Sequence, residues 1–235
     1  MAVSGLIDFH THILPEMDDG SRSVEESLKM LSLSAQQGVS KVALTPHFYA
    51  DRDNPEHFLK KRQICYEKLC ASMGEGLPQI FPGAEIAYFE GLSQMKELEA
   101  FRIQGTKALL IEMPFRPWTE RLVADISDLA RHSGFTVVLA HVERYDNCTS
   151  ERVLKSLAYE GVLLQSNANS FLRFMSKSKA FRRLDEGMVH LLGSDCHNIG
   201  SRPPNLAEAF TAIQNKQGLQ VVSSLVSCGE KLFSL

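Results

Sequence analysis

The stretch "GLIDFHTHILPEMDDG" ends an apolar run with His10 and His12, one residue apart, and then supplies Asp18 and Asp19 before a glycine. Further along stand His47 in "TPH", Glu85 in "PGAE", Glu112 in "IEM", His141 in "LAH", and Asp195 with His197 in "SDCH". Imidazole nitrogens and carboxylate oxygens without a thiolate suit manganese, iron(II) or zinc. His10, His12, His47, Glu85, Glu112, His141, Asp195 and His197 are too many ligands for one tetrahedral zinc, so two or three divalent ions are implied. Asp19 is the ninth candidate, ahead of Asp18, although Asp-Gly also suits a plain turn. Arg144 follows His141 in "HVERY" and Arg202 follows His197 in "SDCHNIGSR". A guanidinium grips phosphate oxygens with paired N–H groups, so a cation cluster flanked by two arginines suits a phosphate-bearing substrate.

Singly, each residue has a plain structural role: a polar strand end, a helix cap or a surface ion pair. Their common placement is what matters. Seven β-branched or aliphatic runs read as strands: GLIDF, VSKVALT, LPQIF, KALLIE, FTVVLA, GVLLQS and MVHLLG. Six of these seven end in candidate ligands, and the sixth in sequence ends in Asn167 and Asn169. Residues i and i+2 of a strand point the same way, which gives His10 and His12 one orientation and Asp195 and His197 another shared one. Burying so many ionisable groups together without a cation would be costly. Of the eight histidines, His57 and His132 fall on helices and His190 at the opposite end of a strand, away from the cluster.

Between the runs the apolar period is helical, as in Val24, Leu28, Leu31 and Ala35, in Leu122, Ile126 and Leu129, and in Val153, Leu157 and Tyr159. Ser23 and Glu26 form a capping box that starts the first helix. Near-continuous apolar strands alternating with helices mean an α/β fold with a parallel sheet covered on both faces, whose site lies at the strands' carboxyl ends. Residues 203 to 235 read as a closing helix and a short helical tail, with breaks at Gly218 and Gly229. No linker-like tract divides the 235 residues, so a single domain over 1–235 is expected.

With a net charge of −3, no basic field suggests a nucleic-acid partner. No apolar run approaches the roughly 20 residues that span a bilayer, so no membrane insertion is expected. Cys65, Cys70, Cys148, Cys196 and Cys228 are odd in number and scattered, which reads as reduced thiols and a cytoplasmic protein.

Taken together, "DFHTHILPEMDDG", "TPHF", "PGAEI", "IEMPF", "LAHVERY" and "GSDCHN" followed by "RPP" resemble the polymerase and histidinol phosphatase (PHP) superfamily. The resemblance is strongest to its bacterial manganese-dependent protein-tyrosine phosphatases of capsule and exopolysaccharide synthesis, and runs from about residue 5 to residue 205. It implies a distorted seven-stranded parallel (β/α) barrel holding three metals, commonly manganese. It also implies that His10, His12, Glu85 and Asp195 hold one ion. Glu85 would bridge to a second held with Glu112 and His141, and Asp19, His47 and His197 would hold the third. Arg144 and Arg202 match arginines that bind phosphate. The implied substrate is phosphotyrosine on protein, such as the tail of a bacterial tyrosine kinase, and a homo-oligomer is compatible with it. Val142 stands where the family commonly has proline and Cys196 where it has a small residue; neither is a ligand position.

The expected reaction is direct hydrolysis by a metal-bridging hydroxide, with the arginines and cations stabilising the transferred phosphoryl group. Four rivals stand beside it. Cys196 and Arg202 have the spacing of cysteine-based tyrosine phosphatases, but "HNIGS" between them has one glycine and Cys196 alternates away from its neighbours. A small-molecule phosphatase such as histidinol phosphatase would share every ligand. An amidohydrolase or nuclease would share the opening histidine pair but not Glu112 or the asparagines. A binding module that had lost catalysis would be expected to have lost ligands. In the loop "MPFRPW", Phe115 and Trp118 either hold the substrate ring or pack the loop.

Overall fold

The computed structural model describes residues 5–234. Its strands are β1 (Leu6–Thr11), β2 (Val39–Leu44), β3 (His47–Phe48), β4 (Gln79–Pro82), β5 (Glu85–Ala87), β6 (Ala108–Glu112), β7 (Thr136–Leu139), β8 (Leu163–Asn167) and β9 (Leu191–Gly193). The helices are α1 (Val24–Gln36), α2 (Pro55–Ser72), α3 (Leu98–Phe101), α4 (Glu120–His132), α5 (Glu151–Tyr159), α6 (Asn169–Leu172), α7 (Phe174–Asp185), α8 (Leu206–Gln217) and α9 (Leu219–Leu232). The ladders between these strands are all parallel, in the orders β1-β2-β4 and β3-β5-β6-β7-β8-β9.

All seven expected strands are present, but the second and third are each broken in two, giving nine segments in two sheets rather than one ring of seven. One break falls at Pro46, which has no N–H to continue a ladder, and the other at Gly83 and Ala84. Together the sheets form a curled half-barrel of parallel strands. Beyond the end of β9 the chain touches β1: the Asp195 N–H donates to His10 O at 2.8 Å and the His12 N–H to Cys196 O at 2.9 Å.

Burial follows from parallel topology. Ala108 to Ile111 of β6 are wholly buried, because α4 covers one face of the strand and side chains of the other strands, with Leu232 of α9, fill the other. On α4, Leu122, Ile126 and Leu129 are buried as their spacing predicts, each worth about 1.5–3 kcal/mol when removed from water. The Ser23 half of the expected capping box forms, the Glu26 N–H donating to Ser23 Oγ at 3.2 Å, while Glu26 Oε2 reaches one residue further back and accepts from the Arg22 N–H at 2.9 Å.

Two expectations are corrected. On α5 the buried stripe is Leu154 and Leu157, and Tyr159 is 95% exposed, because the helix ends there with its last turn facing solvent. Gly218 does separate two helices, but α9 runs straight through Gly229. A Cβ at residue 229 would lie 2.7 Å from Phe9 Cε2, so glycine here lets α9 press onto the Ile7 and Phe9 face of β1 and does not end the helix.

Candidate metal centre

The strands' carboxyl ends gather all nine proposed ligands at one rim. His10 lies in β1 with His12 just beyond it, His47 opens β3, Glu85 opens β5, Glu112 ends β6, and His141 and Asp195 each lie two residues past a strand. His10, His12, Glu85, His141, Asp195 and His197 are buried, and Asp19 alone is mostly exposed, at 69%.

Glu85 is the hub. Its Oε2 lies 3.1 Å from His10 Nε2, 3.4 Å from His12 Nε2 and 2.9 Å from His47 Nδ1, while its Oε1 lies 2.9 Å from His141 Nε2. Glu112 Oε1 is 3.2 Å from the same His141 nitrogen, and Asp195 Oδ1 is 3.4 Å from His12 Nε2. Asp19 Oδ1 is 3.8 Å from His47 Nε2 and 3.5 Å from His197 Nε2. Three sets could hold cations, each with ligand atoms within 4.8 Å of one another: His10, His12 and Asp195; His12, Asp19, His47 and His197; and His47, Glu85 and Glu112. Relative to the expected grouping, His12 sits between two sets and His47 reaches the Glu85 set.

These residues fit metal ions by more than proximity. Glu85 Oε2, His47 Nδ1 and His197 Nε2 are buried and satisfy no hydrogen bond, although the first two are 2.9 Å apart. Close but misaligned donor atoms leave lone pairs for a shared cation, whereas ordinary buried polar atoms are hydrogen-bonded. His141 and Asp195 also hold φ of 32° and 53°, a left-handed conformation rarely adopted by non-glycine residues and one that clusters at functional sites.

Charge dominates the electrostatics. Burial pushes the His12 ring toward its neutral form, but Asp18 with Asp195 and Glu85 outweighs this and raises its pKa well above the usual value. Burial likewise disfavours ionised Glu85, yet three surrounding histidines hold it well below the usual carboxylate range.

Both arginines are present at the rim. The Arg144 guanidinium pairs with Asp195 Oδ2, and Arg202 Nη2 lies 2.8 Å from Asp195 Oδ1. Phe115 is 57% exposed, with its ring 6.0 Å from His141 and nearly parallel to it. Trp118 instead turns inward, its indole N–H donating to Pro114 O at 3.1 Å and its ring packing on buried Tyr145. The two aromatic residues therefore separate: Phe115 faces the site and Trp118 packs the loop. Cys196 is wholly buried in the core, and burial together with Asp8 raises its thiol pKa well above normal, which leaves no accessible thiolate.

Sequence reasoning missed the residues behind the ligands. Asp18, ranked below Asp19 as a ligand, turns inward: its Oδ2 accepts from His12 Nδ1 at 2.7 Å and from the His47 N–H at 2.9 Å, and its Oδ1 from the Gly20 N–H at 2.9 Å. A Cβ at Gly20 would lie 2.2 Å from His12 O, so only glycine lets this turn fold back onto the ligand. Gln165 Oε1 lies 3.2 Å from His10 Nδ1 and accepts from the His141 N–H, while Asn167 Nδ2 donates to Asp195 Oδ2 at 2.8 Å. Asn167 was visible as a polar strand end. Period two also places Asp8 beneath His10, where it accepts from the Ser194 N–H.

Comparison with known proteins gives four similarities. The profile of the family described as capsular polysaccharide synthesis, CpsB/CapC, matches residues 6–232. The tyrosine-protein phosphatase CpsB of Streptococcus agalactiae serotype III is 30% identical over 231 residues, covering 94% of each chain. The tyrosine-protein phosphatase YwqE of Bacillus subtilis is 27% identical over 238 residues, covering 97% of this chain and 91% of its own. Among solved structures, one described with YwqE from Bacillus subtilis and CpsB from Streptococcus pneumoniae, "unique metal-dependent tyrosine phosphatases", matches with a TM-score of 0.84 at 25% identity. That match covers 97% of this chain and 94% of the other.

Proposed function

The chain belongs to the capsular polysaccharide synthesis CpsB/CapC family, and from that premise we propose that it is a metal-dependent phosphatase hydrolysing phosphotyrosine on protein. The observation that carries this reading is the gathering of nine residues with candidate nitrogen and oxygen ligand atoms beside two arginines at one rim. The relatives named above are tyrosine-protein phosphatases, which favours this reading over a small-molecule phosphatase of the histidinol phosphate type.

Two or three divalent ions, manganese before iron or zinc, are the cofactors proposed. His10, His12, Glu85 and Asp195 would hold one; Glu85 would also join Glu112 and His141 on a second; Asp19, His47 and His197 would hold the third. When bound, such ions lower the pKa of water and offset charge on phosphoryl oxygens, which supplies the nucleophile for direct hydrolysis. Arg144 and Arg202 would bind the equatorial oxygens and stabilise charge as the bond to the tyrosine oxygen breaks. Phe115, exposed and parallel to His141, would stack on the phenol ring.

On the same reading, residues 1–235 are one domain whose strands make a distorted seven-stranded barrel, supported by the contacts between β1 and the chain after β9. The proposed partner is the phosphorylated tail of a bacterial tyrosine kinase, in the cytoplasm, and self-association is compatible with the reading. Five free cysteines support a reducing compartment, and no helix among the described residues is long and apolar enough to cross a membrane.

The test is hydrolysis of a phosphotyrosine peptide by metal-stripped protein with manganese added back. Activity that returns with manganese, disappears in His12→Ala and survives in Cys196→Ser supports the proposal. Activity without metal that is lost in Cys196→Ser overturns it.

A further inference from the structure

Beside the ligand rim lies a cavity of about 350 Å3 whose wall includes Arg144, Asn167, Arg173, Met175, Asp195 and Arg202. It shares Asp195 and both phosphate-side arginines with the centre described above, so the two form one continuous concave surface. Any polypeptide whose phosphotyrosine reached the arginines would have to place neighbouring residues somewhere around this rim.

Charge in this cavity is unevenly spent. Asp195 is engaged by Arg144 and Arg202. Glu143, the other carboxylate of the wall, accepts from Ser166 Oγ at 3.1 Å and from the Asn167 N–H at 3.2 Å. Arg173 has no carboxylate within 4.0 Å among the described residues, and it is exposed. It sits at the start of α7, makes no capping bond with its side chain, and is followed by Phe174 and Met175, which are 84% and 91% exposed. Large apolar side chains left in water beside a concave site are a docking feature. An unpaired guanidinium next to them selects for negative charge, and the amino end of α7 adds to the same field.

We propose that this cavity is a subsite for an acidic side chain, aspartate or glutamate, flanking the phosphotyrosine of a polypeptide substrate, with Arg173 as its specificity-determining contact. The inference rests on the phosphotyrosine reading and adds a substrate preference to it. Phe174 and Met175 give the bound backbone an apolar edge, and Arg144 and Arg202 remain with the phosphate.

The experiment compares three phosphotyrosine peptides that differ only in flanking glutamate, glutamine or lysine, using manganese-loaded wild type, Arg173→Gln and Arg173→Glu. The readout is the ratio of kcat/KM between peptides, which is insensitive to the amount of folded enzyme. An exposed charge contact gives wild type a preference of roughly 1.5- to fivefold for the glutamate peptide over the glutamine one. Arg173→Gln brings the ratio close to unity, and Arg173→Glu makes the lysine peptide the best of the three. Equal turnover of the three peptides by wild type, or a glutamate preference that survives Arg173→Glu, overturns the subsite while leaving the phosphatase reading intact. If wild type hydrolyses none of the three, the phosphatase reading falls and the subsite with it.

Discussion

Replacing Asp18 with asparagine keeps the size and shape of the side chain but removes its charge at the point where three donors meet. Asp18 accepts from His12 Nδ1 at 2.7 Å, from the His47 N–H at 2.9 Å and from the Gly20 N–H at 2.9 Å. Burial disfavours its ionised form, yet the charge on His12 and these bonds hold its pKa well below the carboxylate range, so the carboxylate is the working species. An amide offers one oxygen and one NH2 group. Whichever way it turns, the NH2 faces at least one N–H donor and a bond is exchanged for a repulsion. Hydrogen bonds to charged groups are worth roughly 1.5–3 kcal/mol, and loss of a carboxylate that orients a metal-ligating histidine costs roughly 10–100-fold in metal affinity. The dissociation constant for manganese, measured by calorimetric titration of stripped protein, is therefore expected to rise roughly 10- to 100-fold, or about 1.4–2.8 kcal/mol. Phosphatase activity should fall steeply at limiting manganese and recover in large part at saturation. A variant whose manganese affinity stays within twofold of wild type would refute the role assigned to Asp18.

Three further outcomes follow from the same contacts. Gly229→Ala places a methyl 2.7 Å from the Phe9 ring; overpacking of this kind costs about 1–3 kcal/mol, so Tm should drop, whereas helix propensity alone would raise it. His190 lies outside the cluster, its ring Nδ1 accepts from the Leu164 N–H at 2.9 Å, and burial pushes its pKa below the usual value. The unfolded chain then binds this proton near pH 6.5 and the folded chain only at lower pH, so this contribution is complete above about pH 6.5 and is lost as pH falls below it. In chelator, the urea midpoint of wild type should decline more between pH 8 and pH 5 than that of His190→Gln, and equal declines would contradict the assignment. Phe115→Ala should raise KM for a phosphotyrosine peptide with little change in Tm, while Trp118→Ala should lower Tm, because Phe115 meets Tyr145 from an exposed position at 5.8 Å between ring centres, whereas Trp118 packs on it at 5.1 Å with its indole N–H anchored; the reverse pattern would exchange their roles.

Much of the site was legible in the chain because its logic is local. A strand's alternation is visible in His10 and His12, a strand's end is visible in the apolar run before His141 or Asp195, and parallel topology then brings such ends to one rim. The seven apolar runs and the helices between them needed no tertiary information for the same reason, since burial on both faces writes itself as continuous hydrophobicity. What only the folded chain decided depends on contacts between distant residues. Asp18 and Asp19 are neighbours of identical chemistry, and the turn anchored by Gly20 against His12 sends one inward and the other to the surface. Gly229 has the composition of a helix break, yet the nearness of Phe9, more than two hundred residues earlier, makes it a packing contact instead. The pairing of Arg144 and Arg202 on a single carboxylate likewise joins two separate loops, the one after β7 and the one after β9. Sequence period determines which way a side chain leaves its own element; which partner it meets there depends on how the sheets curl, and no local pattern encodes that distance.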